Sequence, residues 1–94
     1  MSSASVDCER TVTIANQYGL HARPAAEFVK LANRFSCDVF VRKQDLEVNG
    51  KSIMGMMMLA AEFGSQITIR AAGADAAGAV ESLAGLVSSR FGEA

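Results

Sequence analysis

Ninety-four residues with a formal charge of −1, half of them hydrophobic and a fifth charged, describe one folded domain with a modest core and no room for a second. The near-neutral balance excludes a broad basic surface for nucleic acid, and one Tyr with no Trp leaves few stacking platforms for bases. No apolar run approaches a membrane span, and Met1–Asp7 lacks the basic and apolar regions of a secretory signal. The chain is therefore expected in the cytoplasm without membrane insertion, with residues 1–8 as a flexible polar lead-in and a single domain over 9–94.

In chain order, Thr11-Val12-Thr13-Ile14-Ala15 alternates polar and apolar and predicts a half-buried strand, which Asn16-Gln17-Tyr18-Gly19 breaks. From Ala22 to about Arg34, Ala25, Phe28, Val29, Ala32 and Phe35 recur at helical spacing, with Lys30 and Arg34 toward the end where cations suit the helix dipole. Asp38–Lys43 and Leu46–Val48 read as two strands joined at Gln44-Asp45, a turn that lacks the usual glycine. Ser52 is a good N-cap for a helix from Ile53 to about Ala61, which Gly64 ends. Gln66–Ala71 alternates again. Asp75 is placed to cap a last helix whose stripe is Ala76, Ala79, Val80, Leu83, Val87 and Phe91, weakened by Gly78 and Gly85. Strand, helix, strand, strand, helix, strand, helix implies one antiparallel or mixed sheet with helices on one face and solvent on the other.

His21 and Pro24 are the only histidine and the only proline. Proline belongs in the first turn of a helix, where its missing N–H costs nothing, so His21 stands at the helix mouth beside Arg23. Free backbone N–H groups and a guanidinium make an anion site, and imidazole is a nucleophile. The positive helix end is expected to keep the ring neutral and nucleophilic near pH 7. The bland alternative is a surface or capping histidine with no role.

The second constellation is Asn49 to Leu59, with four of the five methionines. Ile53 and Met57, with Met56 and Ala60, are candidates to fill the core; the remainder is an adaptable exposed patch for docking. Ser52 is a helix cap on one reading and a phosphorylation site on the other, and a phosphate there suits a helix start. Gly50-Lys51-Ser52 is similar to the end of a nucleotide phosphate loop, but Asp45 stands where that loop needs its first glycine, so no ATP site follows. One His and two scattered Cys build no zinc site, and no cofactor is implied.

Gly19-Leu20-His21-Ala22-Arg23-Pro24-Ala25 resembles the active-site signature of the HPr family, the histidine-containing phosphocarriers of the bacterial phosphoenolpyruvate-dependent sugar phosphotransferase system. Lys51-Ser52-Ile53-Met54-Gly55 resembles its regulatory serine signature, and the likeness runs from about Glu9 to Arg90. The resemblance implies an α+β open-faced sandwich, a four-stranded antiparallel sheet in the order 1-4-2-3 with three helices on one face. It implies that His21 is phosphorylated on Nδ1 by phospho-enzyme I and passes the group to a histidine of an enzyme IIA. The chain is then an intermediate carrier and not an independent catalyst. Arg23 is implied to hold the phosphoryl oxygens, and Ser52 to be the site for an HPr kinase/phosphorylase. Ile53, Met54 and Met57, with Leu20 beside them, are the expected docking residues for enzyme I, enzyme IIA and transcriptional regulators, approached by a monomer. In that strand order Cys8 and Cys37, each ahead of its strand, lie about two strand spacings apart, roughly 9 to 10 Å, which predicts free thiols.

Two departures stand out: Phe63 occupies a position where many relatives carry lysine, and the lead-in is long. Alternatives are the nitrogen-related or purely regulatory branch of the same family, and an unphosphorylated interaction module, against which His21 and Arg23 argue. An independent small phosphatase has no second catalytic group to support it.

Overall fold

The computed structural model describes residues 7–93. Its elements are β1 (Asp7–Thr13), α1 (Ala22–Ala32), β2 (Asp38–Lys43), β3 (Leu46–Asn49), α2 (Ile53–Met58), β4 (Gln66–Ala72), α3 (Ala76–Ser88) and a closing 3-10 turn, Arg90–Gly92. The sheet runs β1-β4-β2-β3, every neighbouring pair antiparallel. One parity of the strands, Val39, Val41, Ile67, Ile69 and Ala71, is buried under the helices with Phe28, Met56, Leu83 and Val87. The other parity carries Thr11, Thr68, Arg70 and Glu47 on an open face, where the two threonine hydroxyls meet at 2.9 Å. This is the expected open-faced sandwich. Of the segment expected to precede the domain, Asp7 and Cys8 pair with Ala72 and Ala71 inside β1, and residues 1–6 lie outside the described residues.

The element borders differ most from the sequence expectation at β1, α2 and α3, each for a tertiary reason. β1 lies earlier than the alternation suggested, because β4 offers partners back to Asp7; Ile14 is still in the ladder region but bonds Ser65 and Gly64 in the loop. α2 ends at Met58, well short of Ala61. Ala60 takes a left-handed φ of 49°, and the Lys43 ammonium donates to the Leu59 and Ala60 carbonyls at 3.1 Å each, closing the helix end. α3 ends at Ser88; Phe91 belongs to no helical stripe. Arg90 and Phe91 both turn left-handed, at φ 63° and 54°, and that turn sends Phe91 into the core.

Asp75 sits at the head of α3 but does not cap it with its side chain. Its carboxylate instead accepts from the Ser36 and Cys37 N–H groups, both at 2.9 Å, and ties the start of β2 to α3. The Ser36 bond foremost, with those from Cys37, holds the Asp75 carboxyl below its usual range against partial desolvation. Cys8 and Cys37 are free thiols, as expected, although Cys8 lies within β1 and not ahead of it. Ala71 is opposite both Cys8 and Val39, so the whole of β4 lies between β1 and β2 and separates the two thiols. Burial, then Asp75, raises the Cys37 thiol above its ordinary value.

Gly85 lies inside α3 with nothing within 4 Å of the place a Cβ would take. Gly85→Ala should therefore recover about 1 kcal/mol of helix propensity without a clash. For a domain of this size that is a rise of roughly 4–8 °C in Tm. A thermal melt showing no rise would count against a regular helix there.

Candidate functional site

The site grows from the break after β1. Asn16 and Gly19 close a turn, the Gly19 N–H donating to the Asn16 carbonyl at 3.1 Å. Gly19 has φ 69°, and a Cβ there would stand 2.5 Å from the Ala61 carbonyl oxygen and 2.9 Å from the Glu62 Cα. No other residue fits that approach. It lets the Leu20 N–H donate to the Ala61 oxygen at 2.8 Å. Leu20 is 5% exposed, a core anchor immediately before His21. Its expected place in the docking surface is thus overturned: the pairing with Ala61 turns the side chain inward.

His21 is the N-cap of α1, with an extended backbone and no side-chain capping bond. Its carbonyl receives the first helical bond, from the Ala25 N–H at 3.0 Å. The N–H groups of Ala22 and Arg23 therefore lie ahead of the first internal bond, and Pro24 has none to offer. Pro24 and Ala25 are buried and root the helix start, while His21, Ala22 and Arg23 are exposed. An exposed imidazole, two N–H groups ahead of the first helical bond and the Arg23 side chain thus stand on one turn, an arrangement able to bind an anion beside a nucleophile.

Three further residues complete the surroundings. Glu93 brings its carboxylate to His21 Nε2, 3.1 Å from Oε2 and 3.3 Å from Oε1. The Asn16 amide donates to Glu93 Oε1 at 3.0 Å and to the Gly19 carbonyl at 2.8 Å. Tyr18, largely exposed, stands edge-on to the imidazole with centroids 6.3 Å apart. Desolvation works against the charge on Glu93, but bonds with His21 and Asn16 and the charges of His21 and Arg23 prevail and lower its carboxyl. The field on the ring thus has two sources of opposite sign, the helix end and this carboxylate. Only the first is visible in the local sequence. Nδ1 has no hydrogen-bond partner among the described residues.

Ser52 is the N-cap of α2, its hydroxyl accepting from the Gly55 N–H at 3.0 Å. The turn before it is pinned by the Lys51 N–H on Asn49 Oδ1 at 2.9 Å and by the Lys51 ammonium on the Phe35 carbonyl at 2.7 Å. Of α2 only Met56 is buried, followed by Leu59 beyond the helix end. Ile53, Met57 and Ala60, considered for the core, are exposed instead; six residues give too few turns to bury more than one line. Ile53, Met54, Met57 and Met58 line one shallow apolar surface, to which Met58 is an addition. Phe63 is exposed as well and borders a separate depression with Ala15, Gln17 and Arg90.

Residues 8–89 match the family described as PTS-HPr, the PTS HPr component phosphorylation site. The chain belongs to the HPr family. The phosphocarrier protein HPr of Neisseria meningitidis serogroup A is 46% identical over 85 residues, covering 90% of this chain and 96% of the relative. A crystal structure of HPr-C-His from Thermoanaerobacter tengcongensis is 45% identical with a TM-score of 0.89, covering 93% and 98% of the two chains. Crh, a Bacillus subtilis catabolite repression protein described as an intertwined dimer with a swapped domain, is 48% identical with a TM-score of 0.73, covering 84% and 91%. The general role of the HPr family, a phosphocarrier of the phosphotransferase system, extends to this chain. No helix among the described residues is long and apolar enough to cross a membrane.

Proposed function

We propose that His21 accepts a phosphoryl group on Nδ1 from phospho-enzyme I, ultimately from phosphoenolpyruvate, and passes it to the histidine of a sugar-specific enzyme IIA in the cytoplasm. The observation that carries this is the free Nδ1 of an exposed histidine beside the unused N–H groups and the guanidinium at the start of α1. Nδ1 supplies the lone pair. Arg23 and the Ala22 and Arg23 N–H groups offset the charge of the transferring oxygens, so the chain contributes position and electrostatics. Nothing encloses the group, which suits a donor that must be discharged by a second protein. The test is incubation with enzyme I and labelled phosphoenolpyruvate: acid-labile label on the protein supports the reading, and no label with a competent enzyme I sinks it.

Ile53, Met54, Met57 and Met58 are the surface we assign to docking of enzyme I and enzyme IIA by a monomer; a swapped dimer like that of Crh is the alternative that sedimentation tells apart. Ser52 is assigned to regulation by an HPr kinase/phosphorylase, since about two added charges would stand at the edge of this apolar surface. Ser52→Ala is expected to lose acid-stable label from ATP and a cognate kinase, and about 1 kcal/mol of cap stability. Label retained by that variant would move the site elsewhere. A purely regulatory phosphocarrier is the second reading, favoured by the similarity to Crh. Failure of every sugar-specific enzyme IIA to discharge the labelled protein would select it.

A further inference from the structure

The end of the chain is built to reach the histidine. Arg90 and Phe91 are consecutive left-handed residues, and Phe91 is buried at 6% exposure. The Gly92 N–H donates to the Ser89 carbonyl at 3.2 Å and the Glu93 N–H to the Arg90 carbonyl at 2.8 Å. With Phe91 as the anchor, this turn carries Glu93 across to a residue 72 positions earlier in the sequence. Asn16, fully buried, then fixes the carboxylate from below while its other donor bond holds the Gly19 turn. Two left-handed non-glycine residues carry a strain that local sequence does not favour. The bonds they allow include both contacts to His21 Nε2.

An ionised carboxylate can only accept. The nitrogen facing it must be the one that carries hydrogen, and in a neutral imidazole the other nitrogen then holds the lone pair. We propose that Glu93 is a positioning residue for phosphoryl transfer: it holds His21 in the Nε2–H tautomer, leaving Nδ1 as the nucleophile, and offsets the positive ring that forms when Nδ1 becomes phosphorylated. This rests on the reading of His21 as the phosphoryl acceptor. In the step, the Nδ1 lone pair forms the new bond to phosphorus, and the donor's bond to phosphorus breaks with its electron pair staying on the donor. The Nε2 proton stays in place throughout, so the ring gains a positive charge next to the Glu93 carboxylate. On discharge the N–P bond breaks and its pair returns to Nδ1. Asn16 keeps the carboxylate in register for both directions.

The test compares the wild type with Glu93→Gln, which keeps size and shape but can present either a donor or an acceptor to the ring. The 15N shifts of the two His21 ring nitrogens, read at a pH where the ring is neutral, report the tautomer before any phosphorylation. The wild type should show Nε2 protonated and Nδ1 bare, and the variant a mixture of tautomers. The amide spectrum verifies that the variant is folded; should it not be, Glu93→Asp, which keeps the charge but withdraws it from the ring, serves in its place. Phospho-enzyme I should then load the variant roughly 10- to 100-fold more slowly, the usual scale for losing a group that orients a reacting imidazole. A wild-type ring in mixed tautomers, a variant ring unchanged, or loading at the wild-type rate overturns the proposal. No label on the wild type overturns the acceptor reading of His21, and the transfer step with it, while the nitrogen shifts still decide the tautomer.

Discussion

His21→Ala is expected to take no label from phospho-enzyme I while losing no more than about 1 kcal/mol of stability, the scale of the exposed pair with Glu93 that it gives up. The two halves have separate causes. The imidazole is exposed and makes no capping bond, so α1 keeps its first helical bond, from the Ala25 N–H to the carbonyl of residue 21. Pro24, Ala25 and Phe28 stay buried and continue to root the helix. What disappears is the lone pair proposed to attack phosphorus, and no other histidine exists to replace it. Label loss must therefore be complete, not partial. Parallel urea melts and labelling reactions check both halves. Residual acid-labile label would place the acceptor on another residue, and a large loss of stability would mean that the ring props the fold.

Gly19→Ala is expected to give the reverse pattern, with fold and function failing together. A left-handed φ costs a residue with a Cβ about 1–2 kcal/mol. The added carbon would also fall 2.5 Å from the Ala61 oxygen. That atom is backbone, and it accepts the Leu20 N–H, so relief requires parting the two loop segments. Adding the displaced bond to the strained φ gives a total of about 3 kcal/mol, within the range that marks a special backbone position. His21 lies two residues on, and a shift of the order of 1 Å at a reacting group can cost roughly 100-fold in rate. A melt within about 1 kcal/mol of the wild type, or unaltered loading, would contradict the close approach of these two loops.

The strands and the place of the histidine were readable because each rests on local signals, whereas the strand order β1-β4-β2-β3 was implied only by the resemblance to the HPr family. Thr11–Ala15 and Gln66–Ala71 alternate, Pro24 marks a first turn, and Ser52 carries a cap's oxygen; each lies in or at the expected element, although β1 ends at Thr13. Leu20 was misassigned because its burial depends on a backbone bond to Ala61, forty-one positions on in the sequence and carrying no pattern of its own. The buried side of α2 was misassigned because six residues do not establish a period. Met56 points inward, while Ile53 and Met57, equally apolar, do not. Glu93 left no trace at all. A lone carboxylate after Gly92 is an ordinary surface residue until two left-handed residues and a buried Phe91 aim it at the ring. Asn16 looked like turn chemistry, which it is; its second bond, to Glu93, belongs to the tertiary structure alone.

β4 is the fourth strand in sequence and holds a middle place in the sheet. β1 pairs with β4 and β2 pairs with β4, so until Gln66–Ala72 is in place β1 has no partner and β2–β3 is an isolated hairpin. The Thr11–Thr68 contact already spans 57 positions. An isolated hairpin is marginal in water, and a lone strand has nothing to bond. Folding must close that long loop before either half gains, which makes formation of the domain cooperative and admits no stable half-structure. The histidine inherits this: its loop leans on Ala61, just ahead of β4, and its carboxylate partner comes from beyond α3. The surroundings of His21 are thus gathered from segments up to 72 positions apart, so on the proposed reading a partly folded carrier would lack its acceptor site.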